Sequence, residues 1–244
     1  MNSSTQRTNV NNQRLIVEQL EFSYLGSGWR LSVPHFAVGT GEFRAIIGPN
    51  GSGKSTFLRL MAGVRKPGRG RVLVDGQDIH RQDRRTIARI LGYLPSETRS
   101  DYNYTVQEIV TMGRYAYLPI GGFMGECDIE VVHHAMRLTE VEAFKDRSVF
   151  ELSAGERQRT FLASVIAQEP SLLLLDEPTN ALDIHHQVHF FQIITELAAQ
   201  GISILVVLHD LNLASLYADQ IALFENGSIV TIGPPQDVIR ERYI

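Results

Sequence analysis

Gly48-Pro49-Asn50-Gly51-Ser52-Gly53-Lys54-Ser55, followed by Thr56, is the stretch on which the reading of this chain turns. It satisfies the pattern GxxxxGK followed by Ser or Thr, in which a backbone without Cβ curls its N–H groups around a β-phosphate. The helix that opens after such a loop adds its positive N-terminal end. A helix end supplies only about 0.3–1 kcal/mol per anion, so Lys54, bridging β- and γ-phosphates, and a magnesium ion held by Ser55 must carry most of the charge compensation. The blander reading is a glycine turn between a strand and a helix. Both flanks suit either: residues 43–47 form a near-continuous apolar strand, and residues 55–62 have helical spacing that stops at Gly63.

Working outward, residues 15–47 carry alternating apolar runs, Leu15 and Val17, Leu31 and Val33, Phe36 and Val38, broken by glycines, which predict antiparallel strands. From residue 105 to about 169 no strand pattern stands out. Val106, Ile109 and Val110, then Ile129, Val132 and Met136, recur at helical spacing and predict a helical subdomain over about 100–169, inserted in an α/β core. Residues 172–175 and 203–208 read as short buried parallel strands, and residues 221–224 and 228–232 flank Asn226-Gly227 as a hairpin. Residues 1–13, rich in Asn, Ser, Thr and Gln, read as a flexible N-terminal tail before one domain over 14–244.

The four leucines 172–175 run into Asp176-Glu177-Pro178. Two carboxylates at the carboxyl end of a buried parallel strand lie where open α/β sheets bind ligands. Asp176 is placed to hold magnesium and Glu177 to polarise an attacking water. The alternative is an acidic strand-to-helix turn, with Asp183 capping the helix that follows.

The 244-residue chain is 43% hydrophobic, enough for a sizeable core, and its 23 Lys and Arg against 27 Asp and Glu give a net charge of -4. That balance disfavours nucleic acid as a partner. No apolar run approaches the roughly 20 residues of a membrane span, and the lone Cys127 excludes an intrachain disulfide. These features predict a cytoplasmic protein.

Leu152-Ser153-Ala154-Gly155-Glu156, followed by Arg157-Gln158-Arg159, resembles the signature sequence of ABC ATPases. Ser153-x-x-Glu156 is at the same time a capping box, and the two readings are compatible. Tyr24 resembles the aromatic that stacks on adenine, Ala181-Leu182-Asp183 the D-loop of the dimer interface, and His209 the switch histidine near the γ-phosphate. Each has a structural alternative: Tyr24 as an ordinary strand aromatic, His209 as a cap of the next helix, and Trp29 as a rival for the adenine. The resemblance implies an α/β fold with a P-loop NTPase core, an antiparallel β subdomain and the helical insert. It further implies ATP with Mg²⁺, two copies sandwiching two ATP molecules, and catalytic roles for Glu177, His209 and Lys54. The γ-phosphate would be read by Ser153 and Gly155 of the opposite copy, so the departures at Ala154 and Glu156 are expected to be tolerated. The implied partners are membrane permease subunits and, indirectly, a substrate-binding protein, at the cytoplasmic face of the inner membrane.

One position departs from the family: after Tyr93-Leu94-Pro95 the expected magnesium-contacting glutamine is Ser96, which is shorter and has no amide. Altered coupling, or substitution by Glu97, is expected. Met112-Gly113-Arg114-Tyr115 and Leu208-His209-Asp210-Leu211-Asn212-Leu213-Ala214 resemble subunits of importers for iron-siderophore, haem or cobalamin, with some relatives taking oxyanions. Tyr115, Tyr117 and Leu118 fit either a permease contact or burial. His185 and His189, at zinc-compatible spacing, read as a solvated helix face opposite an apolar stripe of Ile184, Val188, Phe191 and Ile194 or Thr195, and Arg81, Arg84, Arg85 and Arg89 read as another wet face, with a partner contact as the alternative. Two rival functions are a soluble ABC-type ATPase acting on ribosomes or nucleic acid, and a small-molecule phosphoryl-transfer enzyme. Proteins of the first kind usually carry two ATPase units or a long coiled coil, and this chain shows neither, nor a basic balance, while the second leaves Ser153 and His209 without a task.

Overall fold

The computed structural model describes residues 12–98, 100–119, 121–180 and 182–240. Most of the expected N-terminal tail, and Ala181 of the D-loop segment, lie outside the described residues.

In chain order the elements are β1 (Gln13–Ser23), β2 (Arg30–Gly39), β3 (Phe43–Ile47), α1 (Lys54–Met61), β4 (Arg69–Val74), β5 (Gln77–Asp78), α2 (Arg84–Ile90) and β6 (Leu91–Leu94). Then follow α3 (Val106–Met112), α4 (Glu126–Leu138), α5 (Ala154–Ile166), β7 (Leu172–Asp176), α6 (Ile184–Ala199), β8 (Ser203–Val207), α7 (Leu211–Tyr217), β9 (Gln220–Glu225), β10 (Ser228–Gly233) and α8 (Pro235–Val238). One sheet, antiparallel, has the order β2-β1-β4-β5; the other has the order β10-β9-β3-β8-β7-β6, with β9 through β6 parallel and β10 closing the Asn226-Gly227 hairpin.

The parallel strands are mainly apolar because both of their faces are largely buried. Leu173 and Leu175 of β7 and Ile204 and Val206 of β8 join a cluster with Val106, Val110, Val132, Met136 and Leu162 of the helices α3, α4 and α5. Leu172, Leu174, Leu205 and Val207, one step out of phase, join a second cluster with Phe57 and Leu58 of α1 and Leu15, Val17, Leu31 and Phe36 of the antiparallel sheet. The sheet is therefore the middle layer, with the helices on one face and α1 plus the antiparallel sheet on the other.

β4 and β6 carry no strong sequence signal. In β6 the obstacle is Gly92, a poor strand former whose Cβ would collide with Val165 and Leu173, so close packing of α5 and β7 rather than propensity sets the residue. On α6 the apolar stripe differs from the expected one. Phe190, Phe191, Ile193, Ile194 and Leu197 are buried, whereas Ile184 is 80% and Val188 41% exposed. The helix begins at its Asp183 cap with the first turn already outside the core, so the residues that face inward start about a turn and a half later.

Candidate functional site

β7, β8 and β3 are adjacent and parallel, with Asp176 opposite Val207 and Val207 opposite Ile46. Their carboxyl ends therefore deliver Glu177, His209 and the phosphate loop to one edge of the sheet, where an open α/β sheet places its ligands.

The loop is shaped by its glycines. Gly48 has φ 145° and a Cβ there would collide with the Phe224 carbonyl of β9, while Gly53, at φ 109°, is the N-cap of α1 and packs against the Trp29 ring. Lys54 is buried, and its Nζ donates to the carbonyls of Gly48 (2.8 Å) and Pro49 (3.0 Å). Burial lowers its pKa against the opposing pull of Glu177 and Asp176. Asn50, Gly51, Gly53, Lys54, Ser55 and Thr56 line a groove of about 320 Å³ together with Tyr24, Ser27, Trp29 and Glu177. The Tyr24 hydroxyl lies 3.0 Å from Thr56 Oγ1, and the Arg65 guanidinium sits 5.0 Å from the Tyr24 ring centroid.

Beneath the groove, Ser55 Oγ donates to Asp176 Oδ1 at 2.8 Å. Asp176 is fully buried and its Oδ2 has no partner among the described residues. Burial raises its pKa, with Glu177 adding to the shift, while the Ser55 hydroxyl, Arg59 and Lys54 oppose it. A hydroxyl and a carboxylate with an orphaned oxygen form a hard-oxygen donor set that fits Mg²⁺.

Glu177 has a left-handed backbone, φ 50°, pinned by its N–H to the Val207 carbonyl at 3.1 Å. A non-glycine residue in that region costs free energy and persists where its surroundings enforce it. The turn leaves both carboxylate oxygens engaged, Oε1 with His209 Nε2 at 2.5 Å and Oε2 with Asn180 Nδ2 at 2.6 Å. Asn180 had no sequence signal beyond its place three residues on, because only the tight turn after β7 brings its amide back. His209 is not a helix cap: Asp210 caps α7 through the N–H groups of Asn212 and Leu213.

Ser153, Ala154, Gly155, Glu156 and Asp183 are not among the residues lining this groove. Ser153 caps α5, its Oγ accepting from the Glu156 N–H at 3.2 Å while Glu156 Oε2 accepts from the Ser153 N–H at 2.8 Å. Those bonds lower the Glu156 pKa. Ser153 and Ala154 are exposed, so the start of α5 is open to a second molecule. Asp183 caps α6 and pairs with His186 at 2.8 Å, which lowers its pKa. In the segment after β6, Thr98 donates to Gln158 Oε1 of α5 at 3.0 Å.

The basic face of α2 is not simply wet. Arg85 and Arg89 both donate to the Ala116 carbonyl, at 2.9 and 2.8 Å, and Arg89 also stacks on Tyr117. Arg114 is buried, bonded to Asp128, Glu169 and the Ala167 carbonyl and stacked 4.0 Å from the Tyr117 centroid. Of the aromatics beside it, Tyr117 is packed and bonded to Gln168, and Tyr115 is 57% exposed.

Residues 31–180 match the ABC transporter family model. The chain is 40% identical over 205 residues to the ferric enterobactin transport ATP-binding protein of Escherichia coli K12, covering 84% of this chain and 76% of that protein. It is 39% identical over 209 residues to the hemin import ATP-binding protein of Rhodococcus jostii RHA1, covering 85% and 70%. Among solved structures it resembles a chain of an inward-facing ABC transporter described as metal-chelate type, with a TM-score of 0.82 at 28% identity over 95% of this chain and 87% of that one. An ATP-binding subunit of an ABC transporter gives the same TM-score, 0.82, at 27% identity over 93% and 92%.

Proposed function

This chain belongs to the ABC transporter family as an ATP-binding subunit whose ATPase activity is coupled to transport, and from that premise we propose that it powers import of a metal chelate such as an iron-siderophore, haem or cobalamin, or of an oxyanion. The relatives named above for ferric enterobactin and hemin support the cargo class. Two copies would sandwich two ATP molecules, each held by Lys54 and residues 48–56 of one copy and by Ser153 and Gly155 of the other, with Asp183 near the interface. The exposed Ser153 cap, outside the groove of its own chain, supports this division of labour.

The observation that carries the chemistry is the Glu177 carboxylate fixed between His209 and Asn180 beside the Ser55–Asp176 pair. Glu177 would orient and deprotonate water, His209 would hold Glu177 in place, and Tyr24 would stack on adenine. A magnesium ion at Ser55 and Asp176 would supply charge compensation for the terminal phosphates. Among the described residues no helix is long and apolar enough to cross a membrane. By its kinship with import ATP-binding subunits, the subunit would act at the cytoplasmic face of the inner membrane, attached to a separate permease that receives cargo from a substrate-binding protein. Ser96 stands where relatives place glutamine, so coupling would run through other contacts of that segment, such as Thr98 to Gln158.

The test is to purify the chain with the membrane protein that accompanies it and reconstitute both in liposomes. Metal-loaded chelate and its binding protein should stimulate ATP hydrolysis and accumulate label inside. Stimulation only by an unrelated solute would reassign the cargo, and absence of any membrane partner would overturn the transport role.

A further inference from the structure

Trp29 is the only tryptophan of the chain, and it lines the same groove as Tyr24 and the phosphate loop. Its indole edge closes on Gly53 so tightly that a Cβ there would collide with it. The Tyr24 and Trp29 centroids are 6.0 Å apart, with planes inclined by 35°. A flat base held between two rings needs about 3.5 Å on each side, so roughly 7 Å between parallel planes. These rings are too close and too inclined to sandwich one, yet both line the groove.

Tyr24 is braced. The Arg65 guanidinium lies over the Tyr24 ring, and the Tyr24 hydroxyl is hydrogen-bonded to Thr56 Oγ1, so the ring is held at two points. Trp29 Nε1 is buried with no partner among the described residues, so the indole offers a ligand its π surface rather than a hydrogen bond. Of the other polar residues lining the groove, Asn50, Lys54, Ser55 and Thr56 belong to the phosphate loop and the start of α1, and Glu177 to the turn after β7. Ser27 is left beside the rings, and its hydroxyl already donates to the Tyr24 carbonyl at 3.1 Å.

We propose that Trp29 is a second stacking residue of the nucleotide site and that this pair of rings selects bicyclic purines over monocyclic pyrimidines while distinguishing adenine from guanine only weakly. The inference rests on the ATP-binding reading above and adds to it the basis of nucleobase choice. Stacking grows with the area of overlap, which favours the larger base, and every base has a π face, so stacking alone does not tell adenine from guanine. Discrimination between the two purines needs hydrogen bonds to the base edge, and the lining residues supply little for that.

Calorimetric titration of the full chain with ADP, GDP, CDP and inorganic pyrophosphate tests this without turnover. ADP and GDP should bind within about threefold of each other, and CDP about tenfold more weakly. Trp29→Ala should weaken ADP and GDP about tenfold and leave pyrophosphate unchanged, whereas Trp29→Phe should retain most of the purine affinity. In the unaltered protein ADP should quench Trp29 fluorescence more than pyrophosphate does, a readout that needs no variant to fold. The proposal is overturned if Trp29→Ala leaves ADP affinity intact, if it weakens pyrophosphate as much as ADP, which would mark Trp29 as a mere prop for the loop, or if CDP binds as well as ADP. A wild-type protein that binds none of the four ligands would instead remove the nucleotide reading itself.

Discussion

Both oxygens of Glu177 are engaged by neighbouring side chains, which orients the carboxylate. Glu177→Gln keeps the shape and both neighbours but removes the base, so phosphate release should fall by about 10² to 10⁴ with ATP binding retained. A near-normal rate would reassign the base. Asp176 makes a second prediction. Its folded pKa lies above its unfolded value, so the folded state holds the proton more tightly and the buried charge lowers stability once the pH exceeds the ordinary carboxylate range. In magnesium-free solution Asp176→Asn should therefore raise the unfolding midpoint near neutral pH, and the difference should shrink as pH falls toward about 4. Added magnesium should raise the midpoint of the wild type only. Scanning calorimetry over that range checks the sign, and a variant less stable than wild type at neutral pH would refute it.

At the scale of elements, the segment between α3 and α4 is a clasp. Arg114 ties it to the start of α4 through Asp128 and to the end of α5 through Ala167 and Glu169, while Arg85 and Arg89 of α2 hold Ala116 from the other side. Gly113 is required here because any Cβ would collide with the Ser164 carbonyl of α5. Arg114→Met would leave two carboxylates and a carbonyl without their donor, at a cost of roughly 2–4 kcal/mol in urea unfolding. A change below 0.5 kcal/mol would show the clasp to be idle. The sequence marked Met112-Gly113-Arg114-Tyr115 as a resemblance to one transporter group, but its mechanical part was hidden. Side chains that meet 14 and 55 residues away leave no local pattern.

For the whole molecule, the distribution of site residues matters most. One chain assembles the groove and the carboxylates, and leaves Ser153 and Gly155 at an exposed helix start elsewhere. On the proposed sandwich, Glu177→Gln protein should run as a dimer in sedimentation with ATP and as a monomer without it. Adding Ser153→Arg to that variant should abolish the dimer while ATP still binds each copy, because the bulky cation would displace the cap from the shared phosphate. Dimers that persist in the double variant would place the interface elsewhere.

By itself the sequence determined what depends on neighbours along the chain: the phosphate loop from its glycine spacing, the buried strands from continuous leucine and valine runs, the capping box at Ser153 and the turn at Asn226-Gly227. These rest on backbone conformation and side-chain period, which are local properties. Only the tertiary structure decided what depends on strands meeting out of sequence. It set β7, β8 and β3 side by side so that Glu177 reaches His209 32 residues away, placed Trp29 against Gly53, and turned Ile184 and Val188 of α6 outward. Such contacts are chosen by the packing of the two clusters on either face of the sheet, and no window of sequence contains both partners.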